Sequence, residues 1–333
     1  FRESIMTGNH TAESATAGKT ATVIRYAVLF TVVLMAGAFV ENPYYLQVLT
    51  FIGLNVILAL GLNLLMGYAG QISLGHAAFY GIGAYGTGIL TANYGISPWA
   101  ALILAVLLAV IIAYLVGVPT LKLSGYYLGM GTLGFGMIVH ILIREWASVT
   151  GGASGLVGIP SLSLGAISFE SPRNYYLLVW FTVLAVIEIC RRIVCSRMGR
   201  ALRSIHDSEN ASRAVGVNTS DLKLKVFVLS AALAALAGFF YAHFVSFISP
   251  ESFGFIASVR MVTMVVIGGM ASIWGALFGA VLLTVLPEVL HSFADFEMVV
   301  YGMILITVMI FMPQGLTRGV IDIYERSKKG KLQ

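Results

Sequence analysis

The residues of this chain that could do chemistry are few, and they stand in apolar surroundings. The segment Gly67-Tyr-Ala-Gly-Gln-Ile-Ser-Leu-Gly-His76 gathers Gln71, Ser73 and His76 among glycines, without a Lys or Arg. An amide, a hydroxyl and an imidazole at this spacing offer dipoles and hydrogen bonds rather than a nucleophile with its base. A second set, Gly129, Thr132, Gly136 and His140, recurs at i, i+3, i+7 and i+11 and so shares one helix face. That face is small and slightly polar. It either lines a pathway or admits a close helix neighbour. His140 and His243 stand singly in apolar stretches. A proton relay would need carboxylates beside them, and the candidates, Glu188 and Glu288, fall near the ends of predicted helices. No Ser, His and Asp fall at a spacing that suggests a triad, and no HExxH-type metal motif occurs. Gly18-Lys19-Thr20 mimics the end of a phosphate-binding loop, but that motif requires a Gly five positions earlier, where Glu13 stands. Cys190 and Cys195 give neither a disulfide framework nor metal-site spacing. The expectation is a chain with no catalytic centre, no metal and no cofactor of its own.

The elements that carry these residues follow from composition. Of 333 residues, 58% are hydrophobic and 11% charged, against about 25% charged in soluble domains. The mean hydropathy is +0.90. A soluble fold of this size cannot hide so much apolar surface, and a disordered chain would be poor in it. The apolar residues come in long runs rather than in alternation, which predicts helices that span a bilayer instead of an outer-membrane barrel. Ten such segments are predicted, at 24–41, 46–66, 76–92, 98–117, 126–143, 175–193, 226–247, 256–270, 273–290 and 298–312. The eighth is short and carries Gly268-Gly269, the mark of a re-entrant or tilted piece. Ala77, Gly81, Ala84 and Gly88 form a small-residue stripe, and Gly275 and Gly279 a GxxxG pair; both let helix backbones approach closely.

Charge predicts the orientation. With ten crossings, both termini share a side with Lys122 and segment 191–225. That side then holds 17 of the 20 Lys and Arg residues, leaving out Arg144, Arg173 and Arg260. The positive-inside rule makes it cytoplasmic. The net charge of +5 therefore reports topology and gives no reason to invoke nucleic acid. Residues 1–20 are polar and predicted to be disordered, residues 21–318 form the membrane domain, and residues 319–333 form a basic cytoplasmic tail. Segment 191–225 is the largest cytoplasmic feature. Its stretch Gly199–Val215 predicts a short helix, with Gly216 as its stop. Such a helix is either a docking knob or a basic anchor on anionic lipid.

Several ungapped motifs resemble the branched-chain amino-acid ABC permease family, LivH/LivM type. They are Gly61-Leu-Asn-Leu-Leu-Met-Gly67, Gly70-Gln-Ile-Ser-Leu-Gly-His-Ala-Ala-Phe79, Gly83-Ala-Tyr85, Thr132-Leu-Gly-Phe-Gly136, Thr150-Gly-Gly152 and Met312-Pro-Gln-Gly-Leu316. Their order and spacing are similar to the LivM-like branch over roughly residues 45–318. The resemblance implies an all-α polytopic permease subunit of an importer in a bacterial or archaeal cytoplasmic membrane. It implies a homologous permease partner, most simply in a heterodimer. It also implies two cytoplasmic ATPases that bind ATP and Mg, and a periplasmic binding protein that delivers substrate.

The run Glu209-Asn-Ala-Ser-Arg-Ala-Val-Gly216 resembles the loop by which such permeases dock their ATPases, although Asn210 replaces the first Ala and the Gly comes one residue late. On that resemblance Arg203, His206, Asp207, Glu209, Ala211 and Gly216 are the expected coupling residues. Gln71, Ser73, His76, Tyr80, Thr132, Gly136, Thr150, Gly151 and Gly152 are the expected pathway residues. Dipoles rather than a fixed charge of either sign are expected to suit a zwitterionic amino acid. Branched-chain or other aliphatic amino acids are the expected cargo; urea, short amides and aromatic acids are carried elsewhere in the family. A secondary transporter is the remoter alternative, and it would show intramembrane carboxylates or a sodium site without a docking helix.

Overall fold

The computed structural model describes residues 28–290 except 124 and 166, together with 302, 303, 306 and 310. Residues 1–20, most of the predicted tenth span, the Met312–Leu316 motif and the tail 319–333 lie outside the described residues. Proline starts three helices, where its fixed φ is ready for the helix and its missing N–H costs nothing. These are α2 (Pro43–Asn63), α4 (Pro98–Thr120) and α7 (Pro172–Cys195). Asn42 caps α2 by accepting from the Tyr44 N–H at 3.0 Å. Around them lie α1 (Val28–Phe39), α3 (His76–Ala92), α5 (Tyr126–Glu145) and the single turn α6 (Ala147–Thr150). Segment 191–225 holds α8 (Arg197–Asp207) and α9 (Glu209–Ala214), followed by α10 (Thr219–Val245), α11 (Phe255–Gly268) and α12 (Ile273–Leu290).

Among the described residues, helices therefore occupy the first nine predicted segments. Five stretches, Pro43–Tyr68, Pro98–Thr120, Tyr126–Glu145, Thr219–Val245 and Ile273–Leu290, are long and apolar enough to cross a membrane. The 14 residues of α11 reach only about 21 Å, short of the roughly 30 Å hydrocarbon core. The faces sort as a bilayer requires. On α4, Ala101, Ala105, Ala109, Ala113 and Gly117 are buried at every fourth position, while Ile103, Leu107, Ile111 and Leu115 stay exposed. Small residues bring the backbone toward the bundle, and large apolar ones face outward.

Two glycine crossings set the packing. A Cβ at Gly83 of α3 would lie 2.2 Å from the Ala235 carbonyl of α10, and one at Gly238 would lie 2.2 Å from the Tyr80 carbonyl. Gly83 lies off the predicted stripe; of that stripe, Ala84 joins this crossing, while Gly81 and Gly88 instead meet Phe253 and Leu156. Gly268 and Gly279 bring α11 and α12 together, since a Cβ at Gly279 would be 1.9 Å from the Met264 carbonyl. At one end of the bundle lie residues 69–75, 121–123 and 196–218. At the other, β1 (Leu156–Val157) pairs antiparallel with β4 (Phe247–Ile248), beside the two-residue strands β2 (Ser163–Leu164) and β3 (Ile167–Ser168).

One element differs from expectation. The single helix predicted over Gly199–Val215 is two helices, broken at Ser208, whose backbone is extended (φ −160°, ψ 110°). The Ser208 hydroxyl then caps α9 by accepting from the Ala211 N–H at 3.3 Å. Gly216 does end the unit, at φ +85°.

The glycine crossings make a paired prediction. Gly238→Val should lower the unfolding free energy by about 1–3 kcal/mol or more, because neither backbone at the crossing can retreat. Gly134→Ala, where a Cβ meets nothing within 4 Å, should be neutral or gain up to about 1 kcal/mol of helix propensity. Thermal unfolding in detergent, followed by size-exclusion fluorescence, compares the two; equal midpoints would contradict the crossing.

Candidate functional site

α2 and α3 are separate helices, joined at one end of the bundle by residues 69–75. After Asn63 the helix widens into one π turn, Leu64–Tyr68, and the chain runs irregularly over 69–75 until His76 starts α3. Gln71, Ser73 and His76 are at most 7% exposed. Buried backbone outside a helix must find partners elsewhere. The Gln71 N–H donates to the Leu65 carbonyl at 3.0 Å. The Leu74 N–H donates to Thr132 Oγ1 at 3.0 Å, and that hydroxyl donates in turn to the Gly129 carbonyl at 3.0 Å. The Ala77 N–H, an orphan donor of the first turn of α3, reaches Ser258 Oγ of α11 at 3.1 Å. Asn63 holds the α11–α12 connection, accepting from the Ala271 N–H at 3.0 Å and donating to the Ser272 carbonyl at 2.8 Å. Gly75 and Gly136 let the segment lie against α5; a Cβ at Gly75 would be 2.1 Å from the Thr132 carbonyl, and one at Gly136 3.2 Å from Gly75 Cα.

Thr132 and Gly136 thus act on the irregular backbone itself. Gln71 Oε1, Ser73 Oγ and His76 Nε2 instead remain buried without a hydrogen-bond partner among the described residues. His140 Nδ1 joins them from α5, close to Gly254 just before α11. An open buried polar atom costs about 1–3 kcal/mol. Gln71 and Ser73 lie in the α2–α3 connection, His76 starts α3 and His140 lies on α5, each with an open polar atom. Tyr80, one turn along α3, packs its ring against Tyr241 (5.4 Å) and Phe253 (4.9 Å). Thr150, Gly151 and Gly152 form a turn at the opposite end. The Thr150 hydroxyl donates to the Ile143 and Trp146 carbonyls and accepts from the Gly152 N–H, all within its own turn. Gly151 (φ +80°) and Gly152 (φ +62°) supply the left-handed backbone of that turn.

The α2–α3 connection is also where α8 rests. Ser196 caps α8 by accepting from the Met198 N–H at 3.1 Å. Gly199 makes the turn from α7 feasible, since a Cβ there would be 2.2 Å from the Val194 carbonyl. Leu202 and Ile205 face inward, and Arg203, His206 and Asp207 are exposed. The Arg203 guanidinium lies over the Tyr68 ring at 5.6 Å. His206 packs on Gly70, where an added Cβ would lie 3.1 Å from Nδ1. Ala211 and Gly216 are exposed, as is Val215 at 79%.

Glu209, expected as a surface residue, is turned inward. Its carboxylate accepts from Arg213 at 2.6 Å, from the Thr219 hydroxyl at 3.3 Å and from the Lys223 ammonium. Lys223 is 2% exposed, so Glu209 neutralises a charge that could not otherwise be buried. Burial pushes the Glu209 pKa up, but the Lys223 hydrogen bond and charge, with Arg213 and Thr219, outweigh it and hold the carboxyl below its ordinary range. Sequence reasoning missed Lys223, Tyr68, Asn63 and Ser258 as site residues; the Asn63 position inside a quoted motif was the one available signal. Among the described residues no cluster of His, Cys, Asp and Glu could hold a metal ion.

The family described as the permease component of branched-chain amino acid transport systems matches residues 44–312. The chain is 32% identical over 332 residues to the high-affinity branched-chain amino acid transport system permease protein LivM of Escherichia coli (strain K12), covering 92% of this chain and 78% of that protein. It is 34% identical to LivM of Salmonella typhimurium (strain LT2), over 76% of this chain and 66% of that protein. Similarity to LivH of Escherichia coli (strain K12) is 30% over 54% of this chain and 60% of LivH. No solved structure matches the chain. The match over residues 44–312, which takes in the α2–α3 connection and helices α8 and α9, shows that the chain belongs to the family of permease components of branched-chain amino acid transport systems.

Proposed function

We propose that this chain is a membrane subunit of an ATP-driven importer, moving branched-chain or other aliphatic amino acids inward by alternating access between two states of its bundle. Its partners are a homologous LivH-like permease, two cytoplasmic ATPases that supply ATP and Mg chemistry, and an external binding protein. The end bearing 69–75 and 191–225 is the cytoplasmic one on the charge count, in a ten-span chain with both termini on that side of the bacterial or archaeal inner membrane. One contact carries the proposal: α8, the exposed helix available to an ATPase, sits directly on the end of α2 and on the α2–α3 connection, through Arg203 on Tyr68 and His206 on Gly70. Movement of α8 has no way to leave that connection undisturbed. The Glu209–Lys223 pair ties α9 to the start of α10, so the two cytoplasmic helices move with the bundle rather than beside it. The unpartnered atoms of Gln71, Ser73 and His76 then offer weak, reversible contacts to a zwitterion in transit.

Reconstitution tests this directly. Proteoliposomes holding the permease pair, the ATPases and the binding protein should take up leucine only with ATP, and the purified chain alone should hydrolyse none. Uptake driven by an ion gradient without ATP would contradict the assignment, as would ATPase activity from the chain by itself.

The ion pair makes two further predictions. Glu209→Gln strands the Lys223 ammonium and should destabilise the detergent-purified complex on the order of 2 kcal/mol, between the exposed and buried limits for such pairs. Glu209→Gln with Lys223→Met should recover most of that loss in a double-mutant cycle; additive losses would show that the pair does not act as a unit. Because the folded pKa of Glu209 is depressed, its contribution is complete above the ordinary value of about 4.3. It is lost as pH falls through the lower folded value. ATPase co-purification should therefore be flat with respect to this pair between about pH 5 and pH 8. A Glu209-dependent loss within that window would contradict the assignment.

A further inference from the structure

A cavity of about 590 Å³ opens between α2, α11 and α12, in the half of the bundle away from α8. Its size is ordinary for a small-molecule site. Arg260 of α11 lines it together with Glu251 and Glu288, and all three are exposed. Arg260 stands five residues into α11, a rise of about 7 Å from the Phe255 start. Among the described residues, Arg260, Glu251 and Glu288 form no ion pair, although they share one cavity. The walls between them are apolar: Phe51 and Leu58 of α2, Met261 and Met264 of α11, and Leu283 of α12. Asn55 donates to Thr284 at 2.9 Å and pins α2 to α12 behind them. Tyr80 closes the inner side, and His76, whose Nε2 is open, lies one turn before it on the same helix.

We propose that this cavity is an outer vestibule that binds the amino acid itself on its way in, resting on the importer assignment above. Arg260 receives the α-carboxylate through the fork of its guanidinium, Glu288 and Glu251 accept hydrogen bonds from the α-ammonium, and the Met261, Met264 and Leu283 surface holds the aliphatic side chain. One guanidinium and two carboxylates beside an apolar surface offer a free amino acid a partner for each of its charged ends. Urea and simple amides carry neither charge, and an aromatic acid without an amine brings no ammonium to the two carboxylates. The sequence expectation that dipoles alone serve the zwitterion is thereby confined to the deeper segment at Gln71, Ser73 and His76, and both charges are met first.

The test uses the assembled importer in proteoliposomes, with the concentration of leucine-loaded binding protein varied. Arg260→Gln and Glu288→Gln should each lower the maximal uptake rate about tenfold or more, the loss expected for a charge-assisted hydrogen bond. Arg260→Lys should recover part of it. The half-saturating concentration of binding protein should stay within about twofold of wild type, and the ATPases should remain bound. A raised half-saturation with an unchanged maximal rate would overturn the vestibule and make these residues a docking contact for the binding protein. Wild-type rates in both variants would overturn it outright. If Arg260→Gln does not assemble, Glu288→Gln at the rim of the cavity decides by the same two numbers. A wild-type complex that takes up no leucine would instead overturn the importer assignment, so the two failures are distinct.

Discussion

The rest of the structure depends on one constraint: α2 and α3 are joined by an irregular, largely buried connection, and its backbone groups need partners. Three side chains and a tight backbone turn meet that need. Thr132 holds Leu74, Ser258 holds Ala77, Asn63 holds both Ala271 and Ser272, and the Leu65 carbonyl takes the Gln71 N–H. These bonds come from α2, α5 and α11, so the connection is also the junction of the bundle. Glycines at 67, 75 and 136 are required because the junction closes backbone on backbone. A buried hydrogen-bonded junction of this kind resists gradual deformation and favours discrete arrangements, the property that alternating access needs.

α8 and α9 are placed to use that junction. α8 presents its apolar Leu202 and Ile205 inward and its charged face outward, while Arg203 and His206 reach sideways to Tyr68 and Gly70. α9 is anchored differently, by a carboxylate that keeps a buried lysine tolerable. The break at Ser208 separates the two jobs. One helix leans on the α2–α3 connection, and the other is fastened to α10. For a ligand, the electrostatics run along the molecule: opposite fixed charges in the outer cavity, then open dipoles at the junction, then a basic face at the far end.

Much of this was legible in the chain. The long apolar runs gave the helices directly, because lipid leaves a spanning segment little choice but to satisfy its own backbone. The glycine-rich 67–76 stretch stood out because small and polar residues are expensive in such surroundings unless they are used. Other features were hidden for physical reasons. Ser208 breaks a helix that its neighbours favour, and serine is equally at home as a cap or inside a helix, so only the fold reveals which. Lys223 reads as one more solvated cation in a basic loop, because its burial depends on Glu209, 14 residues away. The Thr150-Gly-Gly motif was read for a pathway, yet its hydroxyl is spent on its own turn. Arg260 counted in the sequence only as a charge outside the cytoplasmic set, because nothing local showed that Glu251 and Glu288 would share a cavity with it.

The central claim is that motion enters through α8 and reaches the α2–α3 connection. Hydrogen–deuterium exchange of the assembled importer, nucleotide-free and then trapped with ATP, tests it most directly. The account predicts that amides of 69–77 change protection on trapping. It also predicts that Arg203→Ala with His206→Ala abolishes this change while the ATPases remain bound. Unchanged protection of 69–77 in the wild type, or a change that survives the double substitution, would contradict it.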